Sequence, residues 1–285
     1  MAIPLEDNVS DIIGKAQRGL GLDDQALADR MKIPLDQLEG VKKVAGVEPA
    51  LVRKLAEALG LGGLALTRLA EGKYEPFAKP PTAGFFMANT PYGDVHVNAY
   101  LIWDTRSGLA AAFDTGADAA PLIDEIKANN LTLQDIYLTH THADHVMELD
   151  RLREPFVGSI GVHVAEAEAG VIPDAAAFAP GVTFSLGRLN IETRDTSGHS
   201  AGGVSYHIHG LDAPLVIVGD ALFAGSVGGI GSDYKAALKR IRDNILSGQD
   251  NTNIAPGHGP MTTVKAEKEN NPFFPEFRRT VAQGI

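Results

Sequence analysis

Cysteine is missing from all 285 residues of the chain. This absence excludes disulfide bonds, thiolate metal ligands and a cysteine nucleophile. It leaves the redox compartment open, because a chain without thiols is compatible with any compartment. Neither covalent cross-links nor thiol chemistry is therefore expected of this protein.

Excess positive charge and long apolar runs are also missing. The formal net charge is −11, with 25 Lys and Arg against 36 Asp and Glu, so the average surface repels nucleic acid and anionic membranes. No apolar run approaches the ~20 residues that span a bilayer. The start of the chain, from Met1 to Asp7, lacks the basic and apolar regions of a secretory signal. We expect a cytoplasmic protein that does not bind membranes.

The first part of the chain, residues 1–75, is predicted to be a small helical domain. Helical patterns occur at residues 9–19, 23–31, 34–44, 49–59 and 64–70. Pro34 and Pro49 fit the first turn of a helix, and Gly60 and Gly72 follow helical stretches as stop signals. The proline-rich residues 76–83 predict a linker to a second domain at residues 84–285.

The second part mixes strand and helix patterns. Strands are predicted at residues 95–103, 109–113, 135–139, 189–195, 203–209 and 215–219, and helices at residues 121–128 and 234 to about 246. Strands interleaved with helices indicate a layered α/β or α+β fold.

The most informative segment is Thr139-His140-Thr141-His142-Ala143-Asp144-His145, which directly follows a predicted strand. Neutral imidazole and carboxylate are ligands that Zn²⁺ and similar metals prefer. Three imidazoles packed together without a metal would be costly if protonated and poorly satisfied if neutral. The segment therefore predicts a metal site.

Further candidate ligands follow later strands. His199 lies among small residues, Asp220 ends an apolar strand, and His258 is flanked by glycine and proline on both sides. One such residue alone is usually structural. Together, on the same side of successive strands, they predict side chains that converge on one site.

The ordered set resembles the five motifs of the metallo-β-lactamase superfamily over about residues 84–275. Its members are Asp114-Thr115-Gly116, His140, His142, Asp144, His145, His199, Asp220 and His258. The resemblance implies an αββα sandwich of the α+β class, with two divalent metal ions at one edge of two facing sheets. Zinc is the expected ion, and iron and manganese stay open because this ligand set accepts all three.

The resemblance also implies a role for each residue. The first ion would be held by His140, His142 and His199, and the second by Asp144, His145 and His258. Asp220 would bridge the two ions, and Asp114 would orient the site from outside the ligand set.

Two adjacent metal ions would share a hydroxide whose pKa falls to near neutrality, and one of the ions would polarise a substrate carbonyl. Asp144 or the second ion would handle the leaving group.

Aspartate at position 220 resembles the glyoxalase II, lactonase, nuclease and persulfide dioxygenase branches, because true β-lactamases usually carry Cys or Ser there. The segment from Pro256 onward resembles glyoxalase II-like hydrolases.

We therefore predict a binuclear hydrolase of a small ester, thioester or lactone. Glutathione recognition is not expected, because neither the helical C-terminal domain of larger glyoxalase II enzymes nor an arginine in residues 225–231 is found. His96, Phe223 and Tyr234 are candidate substrate contacts, with core packing as the alternative for the last two. The glycine-rich residues 225–231 either border the pocket or simply connect two elements.

Residues 22–72 resemble a helix-turn-helix domain of the Cro and phage-repressor type, carried by residues 25–31 and 52–60. The predicted recognition helix, residues 35–43, contains Asp36 and Glu39, and residues 1–75 carry 10 Lys and Arg against 12 Asp and Glu. A DNA reader normally shows a basic footprint. We therefore expect homodimerisation or coverage of the active-site mouth rather than DNA binding.

Two alternative functions stay open from the sequence. One is a DNA-binding regulator whose metallo-β-lactamase domain senses a metabolite. The other is a mononuclear iron dioxygenase on the same scaffold.

Overall fold

The structure is a computed structural model that describes residues 3–42, 47–156, 158, 160–231 and 233–279. Five helices precede the first strand: α1 (Val9–Leu20), α2 (Asp24–Met31), α3 (Leu35–Lys42), α4 (Pro49–Ala58) and α5 (Gly63–Ala70). Local signals explain their starts. Asn8 and Asp11 form a reciprocal capping box on α1, Asp23 caps α2, and Pro49 occupies the first turn of α4.

The remaining chain supplies the strands and outer helices. The strands are β1 (Phe85–Tyr92), β2 (Val95–Trp103), β3 (Leu109–Phe113), β4 (Thr132–Tyr137), β5 (Gly161–Ala165), β6 (Ala176–Phe178), β7 (Thr183–Leu186), β8 (Leu189–Asp195), β9 (Val204–His209), β10 (Leu215–Gly219), β11 (Leu222–Phe223), β12 (Ser226–Val227), β13 (Asn253–Pro256) and β14 (Thr262–Thr263). The helices are α6 (Ala120–Ala128), α7 (Ala143–Val146), α8 (Leu149–Arg153), α9 (Tyr234–Ile241), α10 (Val264–Asn270) and α11 (Glu276–Arg279).

Two six-stranded sheets face each other within the described residues. One has the order β1-β2-β3-β4-β5-β6, the other β14-β13-β10-β9-β8-β7, and β11 and β12 form a small hairpin. Alternate residues of a strand point to opposite faces. Accordingly, Tyr100 and Ile102 of β2 lie in the core between the sheets, whereas Ala99 and Leu101 pack with α6 on the outside. The predicted αββα arrangement of the α+β class is confirmed.

The N-terminal helices pack on the outer face of the second sheet. Leu27 of α2 and Leu55 of α4 belong to the same buried cluster as Val216 and Val218 of β10 and Ile241 of α9. The predicted linker, residues 76–83, contains neither helix nor strand. The helices before it and the strands after it therefore share one hydrophobic core.

Several boundaries differ from the sequence-based predictions. The strand predicted at residues 135–139 lies at Thr132–Tyr137, and the helix predicted from residue 234 passes into a π-helix at Arg242–Leu246. Strands β1, β5, β6 and β7 were not predicted, because most are short and none shows a strong alternating pattern. The end of the helix predicted at residues 34–44 lies outside the described residues. Among the described helices, none has the length and apolar character needed to cross a membrane.

The shared core leads to a prediction about stability. Leu27 is fully buried, so Leu27→Ala should lower the free energy of unfolding by about 2–5 kcal/mol. Trp103, the only tryptophan, lies in β2 far along the chain. In Leu27→Ala, the urea-unfolding transitions followed by Trp103 fluorescence and by far-UV circular dichroism should therefore shift together to lower urea concentration. The exposed Leu64→Ala should change stability by less than about 0.5 kcal/mol. A Trp103 transition unmoved by Leu27→Ala would contradict the shared core.

Candidate metal centre

The predicted metal ligands lie just beyond the carboxyl ends of four strands. Four of them follow β4, and one each follows β8, β10 and β13. The β8, β10 and β13 strands run in the same direction, because β9 is antiparallel to both β8 and β10 while β13 is parallel to β10. Their carboxyl ends therefore meet at one edge. The seven side chains brought together there are His140, His142, Asp144, His145, His199, Asp220 and His258.

A first group consists of three imidazoles. One ring nitrogen each of His140, His142 and His199 lies within 4.8 Å of the others. The Nδ1 atom of His142 is 3.1 Å from Nε2 of His140 and 3.0 Å from Nε2 of His199. These three nitrogens face a common point, which is the arrangement of a metal-binding triad.

A second group joins Asp144, His145 and His258, whose ligand atoms also lie within 4.8 Å of one another. The Oδ2 atom of Asp144 is 3.2 Å from Nε2 of His258 and 3.7 Å from Nε2 of His145. Asp144 and His145 are placed by α7, a single short turn that begins directly after His142.

Asp220 lies between the two groups. Its Oδ2 atom is 3.3 Å from Nε2 of His199, 4.0 Å from Nε2 of His140 and 3.5 Å from Nε2 of His258. Its Oδ1 atom is 3.4 Å from Nε2 of His145. One carboxylate therefore faces ligands of both groups.

Two buried atoms test whether this site suits metal ions. Nε2 of His145 and Oδ1 of Asp220 are buried and have no hydrogen-bond partner in the structure. Buried polar atoms are nearly always satisfied, so such a pair requires an explanation. Cations held by imidazole nitrogen and carboxylate oxygen would satisfy both atoms. The residues present fit divalent metal ions.

Asp114 holds His145 and the start of the ligand loop. Its Oδ2 atom accepts hydrogen bonds from Nδ1 of His145 at 2.8 Å and from the Thr139 hydroxyl at 2.7 Å, and its Oδ1 atom accepts from the Thr139 amide at 2.7 Å. Asp114 adopts a positive φ of 57°, an unusual conformation for a residue with a side chain. A proton held at Nδ1 of His145 leaves Nε2 free as a metal ligand.

Backbone carbonyls orient two further imidazoles. Nδ1 of His258 donates to the His96 carbonyl at 2.7 Å, and Nδ1 of His199 donates to the Gly229 carbonyl at 3.0 Å. Each bond fixes the tautomer that leaves Nε2 facing the site. The glycine-rich residues 225–231 thus include a direct support of the site.

Two glycines permit the close approach of loops around Asp220. A Cβ atom on Gly257 would lie 2.1 Å from Oδ1 of Asp220, and one on Gly228 would lie 1.9 Å from its carbonyl oxygen. A larger residue at Gly257 would displace the Asp220 carboxylate, and one at Gly228 would displace the Asp220 backbone.

Burial and neighbouring charges shift the pKa values of the imidazoles in opposite directions. Burial lowers the pKa of His140 to about 2, so this ring is neutral at physiological pH. Burial also opposes protonation of His145, but the carboxylates of Asp114 and Asp220 outweigh it and raise the pKa of His145 to about 10. In the absence of other cations, the buried carboxylates therefore attract protons to the nearest imidazole.

Glu168 accepts hydrogen bonds from two of the loops that carry the first group, and the sequence did not predict this role. Its Oε2 atom accepts from the Thr141 hydroxyl at 2.7 Å, and its Oε1 atom accepts from the Gly202 amide at 2.8 Å. Burial raises the pKa of Glu168, but these hydrogen bonds outweigh it and hold the pKa below its usual value. Nothing in the sequence distinguishes Glu168 from the exposed Glu166 two positions earlier.

Strand β2 supports the loop that carries His258. The Asn98 side chain donates to the carbonyls of Pro256 and Gly259 at 2.9 and 2.8 Å, and the Tyr100 hydroxyl donates to Pro256 at 2.7 Å. Both side chains are buried. Asn98 follows His96 by two positions, but no sequence signal linked it to a residue more than 150 positions away.

The three predicted substrate contacts occupy different surroundings. The Phe223 ring stands perpendicular to His258 with centroids 5.7 Å apart, so it lies next to the site. His96 reaches the site through its backbone carbonyl, while the residue itself is exposed. The Tyr234 ring belongs to the core cluster of the N-terminal helices and leaves no room for a Cβ on Gly19 of α1. This placement matches the alternative of core packing for Tyr234.

A cavity of about 330 Å³ opens beside His199. Its walls are residues 197–201, Gly231, Asp233 and Arg240. The Arg240 guanidinium is 3.1 Å from Asp195, and both side chains are partly exposed. The volume is at the lower end of that of pockets for small molecules.

The sequence of residues 92–258 matches the family model of the metallo-beta-lactamase superfamily. The chain belongs to this superfamily. The match contains every one of the seven side chains at the centre.

Curated relatives and solved structures are similar over the same part of the chain. The probable metallo-hydrolase YqgX of Bacillus subtilis is 33% identical over 209 residues, which cover 66% of this chain and 96% of YqgX. The hydroxyacylglutathione hydrolase GloC of Haemophilus influenzae is 31% identical, over 62% of this chain and 92% of GloC. The crystal structure of the BLEG-1 B3 metallo-beta-lactamase is similar with a TM-score of 0.56 and 30% identity, over 66% of this chain and 99% of BLEG-1.

These similarities confirm the prediction of a metallo-hydrolase. They cover about two thirds of this chain, whereas they cover nearly all of each relative. The resemblance of residues 22–72 to a helix-turn-helix domain is supported by none of these proteins and stays a prediction.

The tie through Glu168 leads to a prediction about metal binding. Glu168→Ala should weaken zinc binding about 10- to 100-fold, because the loops of the first group lose their common acceptor. Calorimetric titration of the metal-free protein measures this change. Glu166→Ala is the matched control, since Glu166 is an exposed neighbour of the same residue type. Equal zinc affinity in the two variants would show that Glu168 does not position the site.

Proposed function

We propose that the chain is a binuclear hydrolase that cleaves a small ester, thioester or lactone. One observation carries this proposal: the two oxygens of Asp220 face ligands of two adjacent groups, at 3.3 Å from His199 and 3.4 Å from His145. A carboxylate in that position is suited to bridge two ions. Zinc, iron and manganese are all compatible with the ligand types.

The ligand groups define what each part of the site would contribute. The first ion would be held by His140, His142 and His199, and the second by Asp144, His145 and His258. A pair of divalent ions supplies polarisation of a substrate carbonyl and a lowered pKa of water.

Asp144 is suited to carry a proton during the reaction. Its Oδ2 atom faces His145 and His258, so Oδ1 is the oxygen left to accept a proton from attacking water. Burial raises the pKa of Asp144, but the hydrogen bond with His258 and nearby charge outweigh it and lower the pKa. An ionised Asp144 can take up a proton and pass it to the leaving group.

The surroundings favour a small substrate. The cavity beside His199 is about 330 Å³, and the buried Phe223 ring packs against His258. A cavity of this volume accommodates only a small molecule.

The relatives support the reaction class. YqgX is named a probable metallo-hydrolase, and GloC is named for hydrolysis of a hydroxyacylglutathione, which is a thioester. BLEG-1 is named a metallo-beta-lactamase, so a β-lactam belongs in any substrate screen. Aspartate at position 220 leads us to favour thioesters and lactones over β-lactams for this chain.

The bridging carboxylate leads to a prediction about activity. Thioesters, lactones, phosphodiesters and a β-lactam are screened with metal-loaded protein. Asp220→Ala should abolish turnover of any substrate found and lower the metal content, because both ligand groups lose a shared acceptor. His209→Ala should leave both unchanged, since His209 is exposed on β9 and contacts Glu192. Full activity in Asp220→Ala would refute the bridging role.

The two ligand groups also lead to a prediction about stoichiometry. Protein purified without added metal and then titrated with zinc should bind two ions per chain, because two triads of ligand atoms are present. Removal of metal by a chelator should abolish hydrolysis, and zinc should restore it. Elemental analysis and oxygen consumption separate this proposal from the alternative. A single iron per chain with oxygen uptake and no hydrolysis would favour a dioxygenase.

A further inference from the structure

The beginning of the chain packs against the metal centre. A Cβ atom on Gly259 would lie 3.1 Å from the Glu6 amide nitrogen and 3.3 Å from the Glu6 Cβ. Gly259 directly follows His258, a predicted ligand of the second group. The segment before α1, residues 3–8, therefore lies against the loop that carries this ligand.

Lys15 of α1 links this segment to the β11–β12 hairpin through an ion pair and a hydrogen bond. Its ammonium group pairs with Asp7 and donates to the Val227 carbonyl at 2.9 Å. It also lies 4.9 Å from the centroid of the Phe223 ring, which in turn stands against His258. The side chain of Lys15 is only 12% exposed and that of Asp7 only 8%, so this pair is largely removed from water.

The positive charge of Lys15 and the negative charge of Asp7 neutralise each other, whereas Glu6 forms no ion pair within the described residues. Ser226 of β12 also donates to Asp7, which completes the contact with the hairpin. In the part of the chain that the structure describes, no Lys, Arg or His nitrogen lies within 4.0 Å of the Glu6 carboxylate. Glu6 therefore adds a net negative charge to this side of the site.

The charge of Glu6 lies near several charged residues of the site. Burial raises the pKa of Glu6; among nearby charges His258 and Lys15 lower it, while Asp7 and Asp220 raise it. Half-burial strengthens such interactions, because less water screens them. Because Glu6 lies against Gly259, the residue that follows His258, its carboxylate is placed to act on this side of the site.

Residues 3–8 and Lys15 lie outside the part of the chain that matches the superfamily model. The family match begins at residue 92. The alignment with YqgX includes 96% of YqgX but only 66% of this chain. About a third of this chain therefore has no counterpart in YqgX.

We propose that residues 3–8 together with Lys15 form a wall of the active site that selects against negative charge on the part of the substrate beside His258. This inference rests on the proposed hydrolase function. The favoured substrates are esters, thioesters or lactones that are neutral or cationic on that side. A substrate carboxylate there would meet the like charge of Glu6 in a region with little water, which is a repulsive means of specificity.

The first experiment uses zinc alone as the probe and needs no turnover. Metal-free full-length protein is titrated with zinc by calorimetry at low and high salt. Glu6→Gln should weaken zinc binding about 3- to 10-fold at low salt, because one nearby negative charge is lost, and by less at high salt. Glu57→Gln removes the same charge from an exposed position on α4 and should bind zinc like the wild type.

The second experiment compares matched thioesters with zinc-loaded protein. In each of two pairs a carboxylate is replaced by a carboxamide, on the acyl chain in one pair and on the thiol part in the other. For at least one pair, Glu6→Gln should raise kcat/KM of the carboxylate member relative to the carboxamide member by about 3- to 10-fold. Glu57→Gln should leave both ratios unchanged. Thermal unfolding midpoints of all variants verify that they are folded.

The outcomes separate this inference from the proposed function. Weaker zinc binding together with a shifted ratio in Glu6→Gln supports the selective wall. Zinc binding equal to that of Glu57→Gln overturns it, whether or not the wild type hydrolyses anything. Weaker zinc binding with unchanged ratios overturns the selection of substrate charge. Absence of hydrolysis of any ester, thioester or lactone by the wild type refutes the proposed function, and with it the charge selection that rests on it.

Discussion

The buried carboxylate of Asp220 is the constraint on which the rest of the site depends. An ion of this size removed from water costs several kcal/mol unless opposite charge compensates it. Here the compensation comes from four imidazoles on three loops, and three of these imidazoles approach one of its oxygens within 4.0 Å. Divalent cations held by those imidazoles would satisfy the carboxylate and would account for so many histidines at one point.

The close approach of these loops has structural consequences at some distance from the ligands. Gly228 and Gly257 leave space where a side chain would collide with Asp220. Asp114 accepts hydrogen bonds from both ends of the loop after β4, and Glu168 accepts from two different loops, so hydrogen bonds within the protein orient the imidazoles. Preorganised ligands bind metal with less loss of conformational freedom. The sheets provide the rigid edge from which these loops start.

The N-terminal helices belong to the same physical unit as this edge. They bury their apolar faces on β10 and α9, and the segment before α1 reaches the loop that carries His258. On α3, Asp36 and Glu39 are exposed, which is unfavourable for contact with nucleic acid phosphates. These contacts connect the helical part of the chain with the loop that carries a candidate metal ligand.

The sequence by itself determined the fold class, because β2, β3, β8 and β10 carry regular patterns of apolar residues. It also determined the candidate ligand set, because metal chemistry permits few residue types. Caps and prolines likewise determined where the helices start, since these signals are local. The tertiary structure alone decided the roles of Glu168, Asn98 and Lys15. Lys15 bonds to a carbonyl 212 positions away, and no local pattern encodes such a contact. Short strands such as β6 are likewise specified by their neighbours in the sheet, because three residues bury too little surface to define themselves.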